Sequence, residues 1–156
     1  MHSRLKDPLG WLLGEAAGRF LDTCFEMEPV VIHHGDAERF RPLLSIAAVD
    51  RKIAELDLRE GILSMANAKE PIQSSDFVAA NGVVDRVAVA RLYRRGGTVI
   101  LNQLHQSDIT LAAFCRAVER IFSCHVQTNI YLTPPGSQGF HTHYDSHDVF
   151  IRQNRG

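Results

Sequence analysis

The chain has 156 residues and a mass of 17.5 kDa, which corresponds to one ordinary domain or to a piece of a larger one. Hydrophobic residues make up 45% and charged residues 22%, which excludes a disordered tail, a collagen-like fibre and a membrane bundle. The 17 Lys and Arg residues against 18 Asp and Glu residues give a net charge of −1. Because proteins that bind the phosphate backbone of nucleic acids usually have an excess of Lys and Arg over Asp and Glu, we expect no direct nucleic-acid binding.

The termini and the cysteines indicate a cytoplasmic protein that does not contact membranes. The longest apolar runs, such as residues 98–101, are far too short to span a bilayer, and residues 1–8 lack the apolar core of a secretion signal. The three cysteines are an odd number without metal-type spacing, and Cys115 falls at an apolar helical position. We interpret Cys115 as a buried free thiol.

Helical spacing dominates the first third of the chain. Apolar residues between Trp11 and Phe25 recur every three to four positions, as on one face of a helix, and Pro29 ends this region. The β-branched run 30–32 predicts a short strand. Ser45 can cap a second helix, whose apolar side contains Ile46, Val49, Ile53 and Leu56.

Helices and strands alternate in the remainder of the chain. We expect a strand near 62–65, a helix over 85–94 closed by Gly96 and Gly97, and a strand over 98–101. The next helix, capped by Ser107 or Asp108, carries the apolar stripe Leu111, Phe114, Cys115, Val118, Ile121 and Phe122. Strands are predicted over 126–132 and 147–153. Helices come first and strands accumulate toward the end, which is an α+β pattern.

A histidine-rich stretch between Gly139 and Asp148 is the main candidate for chemistry. Residues two apart in an extended chain share a face, so His143 and Asp145 can direct an imidazole and a carboxylate to one point. This pair suits a first-row divalent metal such as iron, manganese or zinc. Taken alone, this spacing is short and common, and a solvated polar loop explains it better than a metal site does.

The residues around this pair carry a resemblance to a known family. The run NIYLTPPGSQGF begins at Asn129, and Val149-Phe150-Ile151 follows the pair. The whole segment resembles the cupin-like Jumonji-C (JmjC) family of Fe(II)/2-oxoglutarate-dependent oxygenases, in the branch that contains the ribosomal oxygenases. The similarity extends upstream through residues 98–105 and more weakly to Trp11 and residues 29–31, so it covers most of the chain.

The resemblance implies a role for particular residues. His143 and Asp145 match two of the three iron ligands, and Asn129 and Tyr131 match strand positions close to the cosubstrate 2-oxoglutarate. His141 and His147 match no ligand position. No catalytic residue beyond the metal ligands is implied. Without the resemblance, Asn129 reads as a strand residue facing water and Tyr131 as a core aromatic with a hydrated tip.

The family fold is a double-stranded β-helix, a cupin or jelly-roll barrel. We expect residues 1–96 to form a mainly helical N-terminal region with short strands, and residues 97–156 to form the first half of this barrel. Both belong to one continuous domain whose barrel is incomplete in this chain. An open sheet edge of this kind favours self-association into a homo-oligomer.

The chain departs from the family pattern near its end. The third iron ligand, a histidine, and a basic residue that binds the distal carboxylate of 2-oxoglutarate are both expected beyond Gly156, and Arg152 stands where an aliphatic residue is usual. The sequence therefore favours the N-terminal portion of an oxygenase that acts on a protein, such as a ribosomal protein, and that is inactive alone. Two alternatives stay open: an inactive remnant that acts as a binding module, and a small zinc-binding protein that uses His141, His143, Asp145 and His147.

Overall fold

The computed structural model describes residues 5–55 and 57–153. In chain order it contains α1 (Pro8–Leu13), α2 (Ala17–Thr23), α3 (Ile46–Glu55), β1 (Leu63–Ala66), α4 (Arg86–Arg94), β2 (Thr98–Leu101), α5 (Ile109–Phe122) and β3 (Ile130–Leu132). Short 3-10 turns lie at Gly14–Ala16, Ser74–Asp76 and Leu104–Gln106. The helical spacing of the first third is confirmed, with α1 and α2 separated by the first of these turns.

Polar side chains begin the helices where the sequence predicts. Ser45 Oγ accepts a hydrogen bond from Ala48 N–H at the start of α3 (3.2 Å), and Asp85 accepts two backbone N–H groups of α4. Asp108 caps α5 by accepting the N–H groups of Thr110 (2.9 Å) and Leu111 (3.1 Å). These bonds satisfy backbone donors that have no partner inside the helix, and so they fix where each helix begins.

The three strands form an open antiparallel sheet in the order β1-β2-β3. Ile100 of β2 lies opposite Ser64 of β1 and opposite Tyr131 of β3, so these three residues share one face of the sheet. The other face is the core face and carries Leu63, Met65, Val99, Leu101, Ile130 and Leu132. We call the face that contains Ser64, Ala66, Thr98, Ile100 and Tyr131 the second face.

The main core packs α3, α4 and α5 against the core face of the sheet. Trp11 joins α1 to this core, since its indole contacts the ring of Phe114 edge-on at 5.7 Å. Leu111, Cys115 and Val118 are buried and Phe114 and Phe122 are half-buried, which confirms the predicted stripe of α5. A second cluster around Leu9, Leu13, Phe20 and Cys24 packs on the C-terminal end of α5.

Two predicted strands are wrong and one is too long. Residues 30–32 are irregular and Val31 is 79% exposed; within the described residues no strand pairs with them. Residues 147–153 are also irregular. Side-chain contacts hold this segment in place. Phe150 contacts the ring of Phe20 in α2 and the ring of Phe122 in α5, and Arg152 lies over the ring of Phe40. The third strand begins only at Ile130.

The observed architecture agrees with the predicted α+β class and with a sheet that does not close. β1 belongs to the region 1–96 and pairs with β2 of the region 97–156, so one sheet spans the expected boundary, which itself stays a prediction. Leu56 of the predicted apolar side of α3 and residues 154–156 lie outside the described residues. In the part of the chain that the structure describes, no helix is long and apolar enough to cross a membrane.

Candidate metal and cosubstrate site

Residues 137–143 lie across the second face of the sheet. Gln138 C=O accepts a hydrogen bond from Ala68 N–H (3.0 Å), which ties the segment to the end of β1. Gly139 lies so close to β2 that a Cβ atom at this position would be 2.6 Å from Thr98 Oγ1. The absence of a side chain at residue 139 therefore permits the segment to approach the sheet and brings residues 140–145 next to β3.

An aromatic contact links β3 to His143. The ring of Tyr131 meets the ring of Phe140 edge-on at a centroid distance of 6.0 Å, and Phe140 in turn lies 5.5 Å from the imidazole of His143. Tyr131 is 56% exposed and Phe140 is 42% exposed. Two of the predicted site residues, Tyr131 and His143, thus flank the same phenylalanine.

The imidazole of His143 is held in one tautomer. Its Nδ1 lies 2.8 Å from the backbone oxygen of His141. A carbonyl oxygen only accepts, so Nδ1 carries a proton, and in the neutral ring the lone pair is on Nε2. Metal-binding histidines commonly have this arrangement, since a hydrogen bond from one ring nitrogen orients the other toward the ion.

Asn129 lies at the entry to β3 and is half-buried. Its Oδ1 accepts a hydrogen bond from Gln103 N–H (3.0 Å), and Gln103 has a positive φ of 49° in the turn after β2. The bond supports a backbone conformation that side chains other than glycine rarely adopt. No hydrogen-bond partner for the Asn129 amide nitrogen is found among the described residues.

Asp145 and the neighbouring histidines are exposed. The carboxylate of Asp145 has no hydrogen bond or ion pair within residues 5–55 and 57–153, and His141 and His147 are exposed on the same loop. The described residues contain no cluster of three or more His, Cys, Asp or Glu side chains able to hold a metal ion. The donors are therefore an imidazole and a carboxylate of the types that iron accepts, with no third protein ligand in the described part.

A shallow cleft adjoins this loop. It has a volume of about 280 Å³ and is lined by Met65, Ala66, Asn67, Ala68, Pro71, Ile72, Gly139, Phe140 and His141. The cleft separates the end of β1 from the histidine-rich loop.

Three residues of the site have no signal in the sequence pattern. Phe140 bridges Tyr131 and His143, Gly139 permits the close approach to Thr98, and Gln103 orients Asn129. Glycine and phenylalanine are common in loops, and the role of Gln103 depends on a contact between positions far apart in the chain. Only the run that begins at Asn129 pointed to this stretch as a whole.

Comparison with known proteins shows which family the C-terminal part of the chain resembles. Residues 101–156 match the family described as the JmjC domain. The matched stretch includes β3, the histidine-rich loop and the segment after it. This part of the chain is thus similar to JmjC-domain proteins.

Individual relatives are similar over almost the whole chain. The bifunctional lysine-specific demethylase and histidyl-hydroxylase NO66 is 26% identical over 153 residues in Drosophila yakuba and 39% identical over 153 residues in Drosophila melanogaster. Ribosomal oxygenase 1 of Gallus gallus is 27% identical over 148 residues. These alignments cover 95%, 95% and 94% of this chain but only 22%, 23% and 24% of the respective relatives. The chain therefore spans about a quarter of the length of the curated relatives it matches.

Proposed function

We propose that the chain is the N-terminal portion of an Fe(II)/2-oxoglutarate-dependent oxygenase of the protein-hydroxylase type. His143 and Asp145 supply two iron ligands, and Asn129 and Tyr131 line the position of 2-oxoglutarate. The JmjC-domain match and the names of the relatives, which include histidyl-hydroxylase and ribosomal oxygenase, support this class. The observation that carries the proposal is the orientation of His143, whose Nδ1–H bond to His141 leaves Nε2 to bind a metal.

The proposed ligands fit iron in their chemistry. A neutral imidazole and a carboxylate are two members of the two-histidine, one-carboxylate set that leaves three positions of iron open. When bound, iron and 2-oxoglutarate supply the oxygen activation that hydroxylates a carbon atom. The protein orients its ligands and restricts water. Phe140, packed between Tyr131 and His143, limits the movement of both rings.

Asn129 and Tyr131 offer neutral hydrogen-bond donors to an anionic cosubstrate. The Oδ1 atom of Asn129 is engaged by Gln103, so the amide nitrogen is the group that remains to donate to a carboxylate. Tyr131 is exposed on the second face and presents a phenolic hydroxyl. Asn129 immediately precedes β3 and Tyr131 lies within it, so the two residues stand two positions apart where the strand begins.

The chain by itself should bind Fe(II) weakly and turn over 2-oxoglutarate poorly or not at all. With two protein ligands, water has to complete the coordination shell of the metal. A charge-assisted hydrogen bond from a basic residue to the distal carboxylate contributes roughly 1.5–3 kcal/mol, and its absence weakens binding about tenfold for each 1.4 kcal/mol. We place the third ligand and this basic residue outside the described residues.

The substrate is proposed to be a protein in the cytoplasm. One relative is named a ribosomal oxygenase, which favours a ribosomal protein as the substrate class. The cleft of about 280 Å³ beside His141 is shallow and lies at the surface, where a segment of a protein substrate can reach it. The near-neutral net charge of −1 gives no reason to propose a nucleic-acid ligand.

A zinc-binding loop is the second candidate, and it rests on the four exposed groups His141, His143, Asp145 and His147. These donors also suit zinc, which prefers a tetrahedral set of four. The two candidates differ in the residues that they require. Of these four residues, the iron site needs His143 and Asp145, whereas a zinc site of four ligands also needs His141 and His147.

Oxygen-dependent formation of succinate from 2-oxoglutarate tests the enzymatic part of the proposal. We would compare the 156-residue chain, loaded with Fe(II), with the variants His143→Ala and His147→Ala. We expect at most trace succinate from all three, together with weak Fe(II) binding that His143→Ala removes and His147→Ala preserves. Equal loss of Fe(II) and zinc binding in both variants would favour the zinc loop, and robust succinate formation would overturn the inactivity of the chain alone.

A further inference from the structure

The entry to β3 is held by a small set of side chains that the site described above does not include. Thr128, two residues before β3, donates its backbone N–H to His105 Nδ1 (3.3 Å) and accepts Leu104 N–H at its carbonyl oxygen (2.9 Å). Its hydroxyl lies 3.1 Å from the thiol of Cys115. We call Leu104, His105, Cys115 and Thr128 the β3 entry cluster.

These contacts fix His105 as a neutral hydrogen-bond acceptor. A backbone N–H only donates, so Nδ1 of His105 carries a lone pair and the ring proton is on Nε2. His105 is 7% exposed and therefore has little water to replace this bond. Protonation of Nδ1 would turn the acceptor into a donor that faces another donor, and the bond to Thr128 would be lost.

From this geometry we propose that His105 is a pH-sensitive positioning residue: in its neutral form it holds Thr128, and with it Asn129, at the entry to β3. When His105 takes up a proton, Thr128 loses this hydrogen bond and the segment 128–129 moves away from the turn at Gln103. Among the described residues, the Thr128 N–H has no acceptor other than His105 Nδ1, so no other group replaces this bond.

The charged groups around His105 have opposing effects. Burial is the main cause that lowers the pKa of His105 below its usual value of 6.5, and the positive charges of Arg116 and His125 lower it further. Glu119 of α5 opposes them by favouring the charged imidazole. The carboxylate of Glu119 is also engaged by Val126 N–H (3.0 Å) and lies 3.3 Å from His125 Nδ1, which limits this opposing effect.

The consequence for 2-oxoglutarate rests on the proposed function, whereas the hydrogen bond between His105 and Thr128 does not. If Asn129 contacts the cosubstrate, protonation of His105 should weaken 2-oxoglutarate binding to the iron-loaded chain. The structural effect is measurable without metal or cosubstrate. If the structural effect is absent, the positioning role of His105 is wrong. If it is present but 2-oxoglutarate does not bind, the proposed function is wrong.

The test is a nuclear magnetic resonance titration of the full chain from about pH 8 to about pH 5, the range in which histidine changes charge. We expect the His105 ring as the Nε2–H tautomer at high pH, with a titration midpoint below 6.5. The backbone amide resonances of Thr128 and Asn129 should shift with the same midpoint. An Nδ1–H tautomer, or amide shifts that follow a different histidine, would overturn the proposal.

Two variants separate His105 from its neighbours. In His105→Asn, the carboxamide oxygen can accept from Thr128 N–H but does not titrate, so the Thr128 and Asn129 amide shifts should become independent of pH. His125→Asn is the matched control and should retain the pH-dependent shifts, with a midpoint moved slightly upward because one positive charge that lowers the pKa of His105 is removed. Persistence of the transition in His105→Asn would contradict the proposal. If His105→Asn fails to fold, the tautomer and the midpoint in the wild-type chain decide the question.

Discussion

Gly139 lies against Thr98 so closely that a methyl group on residue 139 would be 2.6 Å from the threonine hydroxyl oxygen. Thr98 is 1% exposed, and its hydroxyl is also within 2.9 Å of Thr133 Oγ1. The contact joins the segment before the histidine-rich loop to the middle strand of the sheet. The position of His143 relative to Tyr131 thus depends on a residue without a side chain.

Replacement of Gly139 by Ala should destabilise the protein. The added Cβ has no space beside the buried Thr98, and either the segment or the strand has to move, at a cost of about 1–3 kcal/mol. Urea denaturation measures this loss in the free energy of unfolding. We also expect the ring contact between Phe140 and Tyr131 to loosen, with a change in the near-ultraviolet circular dichroism of the tyrosine.

Gly18→Ala is the matched control for this change. Gly18 lies in α2 and has no atom within 4 Å of the position a Cβ would take. Alanine favours helix over glycine by up to about 1 kcal/mol, so this variant should be unchanged or slightly more stable. Equal stability of Gly139→Ala and the wild-type protein would show that the approach to Thr98 is not a tight contact.

Asp108→Ala should destabilise α5 by about 0.5–2 kcal/mol, because the N-cap bonds to Thr110 and Leu111 are lost. Asp108 also lies 3.3 Å from the ammonium group of Lys52, which links α5 to α3. Asp108→Asn keeps the cap and removes the ion pair, so it should lose much less in thermal unfolding. Similar losses for the two variants would assign the effect to the ion pair instead.

Glu119 should contribute stability that is lost in acid. The hydrogen bond from Val126 N–H is the main cause that lowers the pKa of Glu119 below its ordinary value of 4.5. The folded state therefore binds fewer protons than the unfolded state below pH 4.5, and its stability falls as the pH drops through the lowered pKa. Glu119→Gln keeps an acceptor for Val126 N–H without this titration, and its unfolding free energy should fall less steeply in this acid window. Identical slopes for both proteins would contradict this role.

Local signals were sufficient to predict the helices and the middle of the sheet. Asp85 and Asp108 stand at helix starts, Gly96 allows the chain to leave α4 with a positive φ of 98°, and the run that becomes β2 is buried on both faces. In each case the information lies within a few residues of the element. Packing against distant residues stabilises these elements but is not needed to decide whether each is a helix or a strand.

Strands that depend on an absent neighbour could not be predicted in the same way. The apolar residues Val149 and Ile151 match a strand pattern, but they are 55% and 89% exposed and lie beside no strand in the described chain. Phe150 and Arg152 hold this segment by side-chain contacts with α2, α5 and Phe40 instead. An alternating sequence pattern shows which residues can form a strand, but the hydrogen bonds of a β-ladder also require a neighbouring strand.

The candidate site was predicted from a motif and not from periodicity. The spacing of His143 and Asp145 indicated a shared face, and the tautomer of His143, set by the carbonyl of His141, agrees with a ligand role. The contribution of Phe140 and the bond from Gln103 to Asn129 arise from contacts between distant segments. Such contacts leave no local pattern in the residues that make them.

The central claim, that His143 and Asp145 are the metal ligands of this chain, is tested most directly by Mn²⁺, a paramagnetic substitute for Fe(II). We would titrate the isotope-labelled chain with Mn²⁺ and record which backbone and imidazole resonances broaden, with His147→Ala as the control. We expect broadening centred on His143 and Asp145, at weak affinity, retained in His147→Ala and removed by His143→Ala. Broadening that is centred elsewhere, or that survives His143→Ala unchanged, would contradict this claim.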